Sequence, residues 1–143
     1  MNAVPAAVAT AMVFIWLGMV LAISFVETPL KFRAPGVDIP TGLGIGRIVF
    51  RALNRIEVAA ALVTLTAVVL GQPNGPVVAL TATVLVILTV QLAAVRPSLN
   101  RRTDRVLAGQ PSPRSTTHLY YVGLEAAKVV ALAALGVSLL VEG

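Results

Sequence analysis

Four long apolar runs follow one another along the chain, and short segments between them hold most of the polar residues. A helix rises about 1.5 Å per residue, so about 20 apolar residues cross a membrane core of ~30 Å. The pattern predicts an all-α polytopic membrane protein, a four-transmembrane-helix bundle that forms a single domain over residues 1–143. The predicted spans are residues 3–27, 44–71, 76–95 and 118–141.

Length alone does not define the first two predicted spans. The first run lacks a positively charged segment before it and is long, which is typical of a retained span and not of a cleaved signal peptide. The second run is largely apolar only over residues 56–70, which is short for a span. We therefore extend it back to one long tilted helix, residues 44–71, whose basic, amphipathic first part lies at the membrane surface.

The longest polar segment is a predicted loop, residues 96–117. Within it, residues 98–108 are expected to form a short interfacial helix that ends at Gly109. Pro111 and Pro113 are then expected to break the chain, and residues 115–117 offer caps for the last helix.

Basic residues are distributed unequally between the two predicted membrane faces. Ten of the eleven lie in or beside two loops, whereas the turn over residues 71–75 carries no charge and Lys128 is the exception. Positively charged loops stay in the cytoplasm, so both termini are expected outside and both basic loops inside. The Ala/Val-rich composition, the short loops and the absence of cysteine favour a bacterial plasma (inner) membrane.

Composition narrows the function classes. Hydrophobic residues make up 57% of the chain and charged residues only 12%, against about 25% in a typical soluble domain. This excludes a disordered chain and argues against a soluble nucleic-acid binder in spite of the net charge of +5. We instead expect contacts with anionic lipid head groups or other anions from arginines near the cytoplasmic face: Arg47, Arg51, Arg55, Arg101 and Arg102.

Ionisable side chains within spans are costly, so each one needs an explanation. The candidates for a substrate or ion pocket are Glu27, Asn54, Glu57, Gln91, His118, Tyr121, Glu125 and Lys128. The last four share one face of the fourth helix, and that face continues as leucines. All eight fall in the predicted cytoplasmic half, which predicts a polar pocket open to the cytoplasm and a dry outer half. Ion pairs that only lock the bundle, such as Glu125 with Lys128, explain the same residues and are favoured over a substrate or ion site.

No metal site or cofactor is predicted. The single histidine stands among scattered carboxylates, and the chain has no cysteine to supply a thiolate. The glycines of residues 41–47 do not follow a strand and lack the lysine of a phosphate-binding loop.

Short motifs carry a resemblance to a known family. Trp16-Leu17-Gly18 is followed by Phe25, Pro29 and Phe32, and the second span opens with Gly46-Arg47-Ile48-Val49-Phe50. With Arg96-Pro97 and His118, these motifs resemble the small four-helix integral membrane family of unknown function that includes transmembrane protein 205. The resemblance implies four membrane helices and no settled activity, and it supplies no catalytic residue.

A second, partial resemblance is to the membrane-associated eicosanoid and glutathione metabolism family, which implies glutathione binding by the second helix. Residues 51–57 keep its Asn-x-x-Glu as Asn54 and Glu57, but Arg51 is one residue too close to Asn54. One residue turns a helix by about 100°, so Arg51 faces elsewhere. Small multidrug exporters need an acidic residue near the middle of the first helix, which is absent here.

Three functions therefore stay open. The first is transport or permeation through a cytoplasm-facing polar pocket, with self-association into a homo-oligomer. The second is a non-catalytic accessory subunit of a larger membrane complex, which the small size and the lack of a strong chemical motif favour. The third is a glutathione-type membrane enzyme, although the sequence favours a protein that is not an enzyme.

Overall fold

The computed structural model of the protein describes residues 1–110 and 116–142. Over those residues the chain is helical, and it contains four helices that are long and apolar enough to cross a membrane. The prediction of four such helices is confirmed. Their bounds are Ala3–Lys31 (α1), Ile39–Gly71 (α2), Gly75–Leu107 (α3) and Thr116–Glu142 (α4).

The helices run alternately up and down around a ring. α1 packs against both α2 and α4, α3 packs against α4, and α2 and α3 close the ring more loosely. The turn between α2 and α3 is tight, because Gln72 adopts a left-handed conformation with φ 54° and the Asn74 side chain caps α3. Short connections of this kind place consecutive helices side by side.

Both chain ends and the uncharged turn lie at one end of the bundle. The Asn2 N–H donates to the Gly71 carbonyl at 2.9 Å, and the Asn74 N–H donates to the Glu142 carboxylate at 3.0 Å. The basic residues other than Lys128, as far as the structure describes them, belong to the opposite half of the bundle. We refer to these two ends as the uncharged end and the basic end.

Two helices continue beyond their predicted spans, which stop at residues 27 and 95, and each passes through a proline. α1 passes through Pro29 to Lys31, and α3 passes through Pro97 to Leu107. A proline inside a helix lacks an N–H and its ring clashes with the carbonyl four residues earlier. A widened π-helical turn, Leu21–Glu27 in α1 and Gln91–Val95 in α3, precedes each proline and relieves that clash.

The basic end of the bundle therefore differs from its predicted form. Residues 98–107 are the last turns of α3 and not a separate interfacial helix, and Gly109 follows the cap residue Ala108 with a positive φ of 79°, which is typical of a helix end. α2 begins at Ile39, five residues before the predicted start at residue 44, because Asp38 caps it. The predicted breakers Pro111 and Pro113, the cap Ser115 and Arg114 lie outside the described residues.

The interior is built in layers. The larger apolar layer fills the half near the uncharged end, where small residues of α1 and α2 meet leucines of α4. Its fully covered members include Ala9, Val13, Ala60, Leu132, Leu135 and Leu139. A second, thinner layer near the basic end consists of Phe50, Leu53, Val95 and Tyr121. The buried charged side chains and Gln91 lie between these two layers.

Candidate functional site

Lys128 lies at the centre of a buried polar cluster. Its ammonium group is 2.5 Å from a Glu57 carboxylate oxygen, 2.7 Å from a Glu125 carboxylate oxygen and 2.8 Å from the Gln91 side-chain oxygen. These partners come from α2, α4 and α3, and an ammonium group has three donors to offer. Lys128 is 0% exposed and each glutamate 1% exposed, so the three charged groups are shielded from both lipid and water.

The carboxylates of the cluster accept further hydrogen bonds from neutral donors. The Trp16 indole N–H donates to Glu57 at 2.9 Å. The Ser24 and Tyr121 hydroxyls each donate to Glu125 at 2.6 Å, and the Gln91 amide also reaches it at 3.3 Å. All four helices therefore meet at this point, which we call the charge cluster: Trp16, Ser24, Glu57, Gln91, Tyr121, Glu125 and Lys128.

Local helix geometry explains how these side chains converge. Tyr121, Glu125 and Lys128 are spaced four and three residues apart, which places them on one face of α4. Ser24 lies within the π-helical turn of α1, and Gln91 opens the π-helical turn of α3. A π-helical turn rotates the side chains around it, and such turns are frequent at functional sites.

The charge cluster lies within the span, near the middle of the helices. Glu57 is fourteen residues before Gly71, and Lys128 is fourteen residues before Glu142, so both are about 21 Å from the uncharged end. In the other direction, Glu57 is about 27 Å from the start of α2 and Lys128 about 18 Å from the start of α4.

Aromatic side chains cover the charge cluster on the side of the basic end. The Phe50 and Tyr121 rings meet edge to face with centroids 5.8 Å apart. The Arg96 guanidinium lies 4.5 Å from the Phe50 ring centroid and 4.7 Å from the Tyr121 centroid. Any ligand or water that enters from the basic end therefore has to displace this aromatic layer before it reaches Glu125.

A second polar site, the arginine cavity, lies between α2 and α3 at the basic end and has a volume of about 350 Å³. Its lining consists of Arg47, Arg51, Asn54, Arg55, Val58, Leu92, Arg96 and Asn100. Asn54 faces this cavity, whereas Glu57, three residues later, belongs to the charge cluster. The two residues that the glutathione-binding pattern joins therefore contribute to different sites.

The remaining predicted residues lie apart from these sites or at their edge. Glu27 is half-buried, and its carboxylate is 3.8 Å from the Lys31 ammonium on the same helix. His118 is half-buried near the start of α4. Arg101 is exposed and donates to Ser98 at 3.1 Å, and Arg102 is half-buried on the same part of α3.

Trp16 and Ser24 are members of the cluster that are not among the predicted pocket residues. Trp16 sits in an uncharged run and entered the prediction only as part of the motif Trp16-Leu17-Gly18. The signal that could have found it is the indole N–H, which normally has a hydrogen-bond partner when a tryptophan is buried. Ser24 carries no comparable signal, because a serine in a membrane helix can also bond to its own backbone.

No protein-family model, no curated protein and no solved structure matches this chain. The function is therefore inferred from the chemistry of the site itself.

The charge cluster is suited to binding a proton. It contains two carboxylates and one ammonium group, so with all three ionised its net charge is −2 + 1 = −1. Uptake of one proton would make the cluster neutral. Among the described residues, no group of three His, Asp or Glu side chains is placed to hold a metal ion.

Proposed function

We propose that this protein is a transport-related integral membrane protein in which a proton binds to and leaves the charge cluster. The observation that carries the proposal is that Glu57 and Glu125 share the single ammonium of Lys128 inside the span. A net negative charge in a low-dielectric interior is costly, so the cluster favours the entry of one positive charge. Binding and release of that positive charge would switch the packing of the helices around the cluster between two arrangements.

The flanking helices supply the flexibility that such a cycle needs. Ser24 and Gln91, which both contact Glu125, lie in π-helical turns that precede Pro29 and Pro97. Helices bend most readily at such turns and at prolines. Movement at either turn would shift a hydrogen bond to Glu125 and loosen the aromatic layer above it.

We infer that the basic end faces the cytoplasm of a bacterial plasma membrane, with both termini outside. The support is the concentration of basic residues at one end of the bundle, together with the positive-inside rule. In that orientation the charge cluster exchanges its proton with the cytoplasmic side. The resemblance to the family that includes transmembrane protein 205 is likewise part of the proposal, and its Trp16 motif supplies the indole that holds Glu57.

Proton flux into liposomes tests this proposal. The purified protein is reconstituted with a pH-sensitive dye inside the vesicles, and a potassium diffusion potential drives protons inward. We expect flux with the native chain and its loss in Glu57→Gln and in Glu125→Gln, with assembly in detergent retained. Glu27→Gln is the matched control, because it removes a half-buried carboxylate outside the cluster, and it should keep the flux. Native flux equal to that of empty vesicles would overturn the proposal.

A non-catalytic accessory subunit of a larger complex is the second candidate. The observation that favours it is that the cluster is enclosed and internally hydrogen-bonded, as a network that only locks a bundle would be. Purification from native membranes separates the two candidates. Companion subunits that co-purify reproducibly would favour the accessory role, whereas a clean homo-oligomer would count against it.

A further inference from the structure

The arginine cavity combines a strongly basic wall with an apolar floor. Arg47, Arg51 and Arg55 follow one another at intervals of four residues on α2, and Arg96 faces them from α3. Residues four apart are neighbours on a helix surface, so the three arginines of α2 form one stripe. Val58 and Leu92 line the part of the cavity that reaches furthest into the span.

Most of this positive charge has no carboxylate partner. The chain has six acidic residues, and the structure describes all of them. Their partners are the Met1 amino group for Glu142, Lys31 for Glu27, the Thr41 N–H for Asp38, Arg47 for Asp104, and Lys128 for Glu57 and Glu125. Within the described part of the chain, no acidic residue pairs with Arg51, Arg55 or Arg96.

Arg96 supplies a second, independent sign of a missing partner. Its Nε and Nη2 atoms are buried, yet neither has a hydrogen-bond partner among the described residues. Stacking against Phe50 and Tyr121 fixes its guanidinium plane. A buried donor without an acceptor is costly, so a ligand oxygen at this position would be stabilising.

The structure assigns to the arginine cavity a binding site for a phosphate group. Guanidinium groups present two parallel N–H donors that match phosphate oxygens, and Asn54 and Asn100 add amide donors to the lining. Basic pockets between membrane helices on the cytoplasmic side take phospholipid head groups. The floor of Val58 and Leu92 suits the first carbons of an acyl chain, while a soluble phosphate compound would use the arginines alone.

Ligand-dependent thermal unfolding in detergent tests this assignment. A ligand that binds only the folded state raises the melting temperature, and Trp16, the single tryptophan, provides the fluorescence signal. The probes are phosphatidylglycerol, phosphatidylcholine and inorganic phosphate. We expect phosphatidylglycerol to raise the melting temperature more than phosphatidylcholine. Arg51→Gln or Arg55→Gln should weaken that effect roughly tenfold or more in apparent affinity, the loss of one charge-assisted hydrogen bond.

The matched control is Arg105→Gln, which removes the same charge from the same end but outside the cavity. Arg51 and Arg55 are themselves exposed, so their replacement by Gln leaves the core unchanged. A rise in melting temperature with inorganic phosphate alone would identify a soluble phosphate compound as the ligand, whereas a rise with phosphatidylglycerol alone would identify the lipid. No rise with either probe, or an equal loss in Arg105→Gln, would overturn the assignment. Because no cavity residue belongs to the charge cluster, this result is independent of the flux experiment.

Discussion

The charge cluster and the arginine cavity both use α2 and α3, but the charges of the cluster are paired with one another whereas most charges of the cavity have no carboxylate partner. In the cluster, Glu57 and Glu125 surround Lys128, and each charge has a partner within 2.7 Å. In the cavity, four arginines gather, and the structure pairs one of them, Arg47, with a carboxylate, that of Asp104. Charges inside a membrane interior must be paired, whereas charges near the interface remain hydrated and can bind a ligand. The face of the helix therefore decides, as much as depth, which charges hold the bundle together and which are available: Arg55 is exposed only two residues before the buried Glu57.

Lys128→Met should have the largest effect on stability. It leaves Glu57 and Glu125 facing each other without a counter-charge, which is expected to cost about 3–5 kcal/mol of folding free energy. The measurement is the melting temperature in detergent, together with size-exclusion chromatography. The triple variant Glu57→Gln, Glu125→Gln, Lys128→Met should recover assembly, because it leaves no charge to compensate. A triple variant that is less stable than Lys128→Met would show that Lys128 does not stabilise the bundle by compensating the charges of Glu57 and Glu125.

Trp16→Phe should have the next largest effect, because it removes the indole donor to Glu57 and keeps an aromatic ring. A hydrogen bond to a charged group contributes about 1.5–3 kcal/mol, so the free energy of unfolding should fall by a similar amount. Circular dichroism on heating measures the change without relying on tryptophan fluorescence. In a Glu57→Gln background the same substitution should lower the free energy of unfolding by a smaller amount. An equal loss in both backgrounds would show that the hydrogen bond between Trp16 and Glu57 does not contribute to stability.

Neutralising Asp104 should barely change the stability. Asp104 is 65% exposed, and its ion pair with Arg47 lies at the surface of the basic end. Exposed ion pairs contribute about 0–1 kcal/mol, so Asp104→Asn should shift the melting temperature far less than Trp16→Phe. The same substitution frees Arg47 and should strengthen phosphatidylglycerol binding to the arginine cavity. A large loss of stability in Asp104→Asn would contradict the conclusion that charges at the basic end contribute little to folding, unlike those of the charge cluster.

Acid should produce the smallest effect, at the start of α2. Hydrogen bonds from the Thr41 hydroxyl and the Thr41 backbone N–H hold the pKa of the Asp38 carboxyl below its usual value. The stabilisation from this cap is complete above the unfolded-state pKa and is lost as the pH falls through the lowered folded-state value. Asp38→Asn should keep a cap that does not titrate. Native and Asp38→Asn melting temperatures followed from neutral to acid pH should therefore diverge slightly, and parallel curves would contradict this role.

Much of this architecture is predictable from the sequence because periodicity and length depend on local pattern. The four helices, and the shared face of Tyr121, Glu125 and Lys128 on α4, follow from spacing alone. The continuation of α1 through Pro29 and of α3 through Pro97 does not, because a proline normally signals a helix end and the preceding π-helical turn leaves no sequence signature.

The convergence of the site was harder to predict, because it depends on how the helices are rotated about their axes. Asn54 and Glu57 are neighbours on α2, yet a rotation of about 60° between them is enough to send one to the cavity and the other to the interior. Spacing along one helix cannot reveal that Trp16 of α1 approaches Glu57 of α2. The hydrogen bond from the Trp16 indole to Glu57 therefore becomes evident only in the packed structure.

Proton flux in liposomes that contain the triple variant Glu57→Gln, Glu125→Gln, Lys128→Met tests the role of the charge cluster most directly. This variant removes every charge from the cluster and is expected to keep the bundle assembled, so it separates a proton-binding site from a purely structural one. We expect an assembled protein whose proton flux falls to that of empty vesicles. An assembled triple variant with the flux of the native chain would contradict the claim that the charge cluster is the working centre.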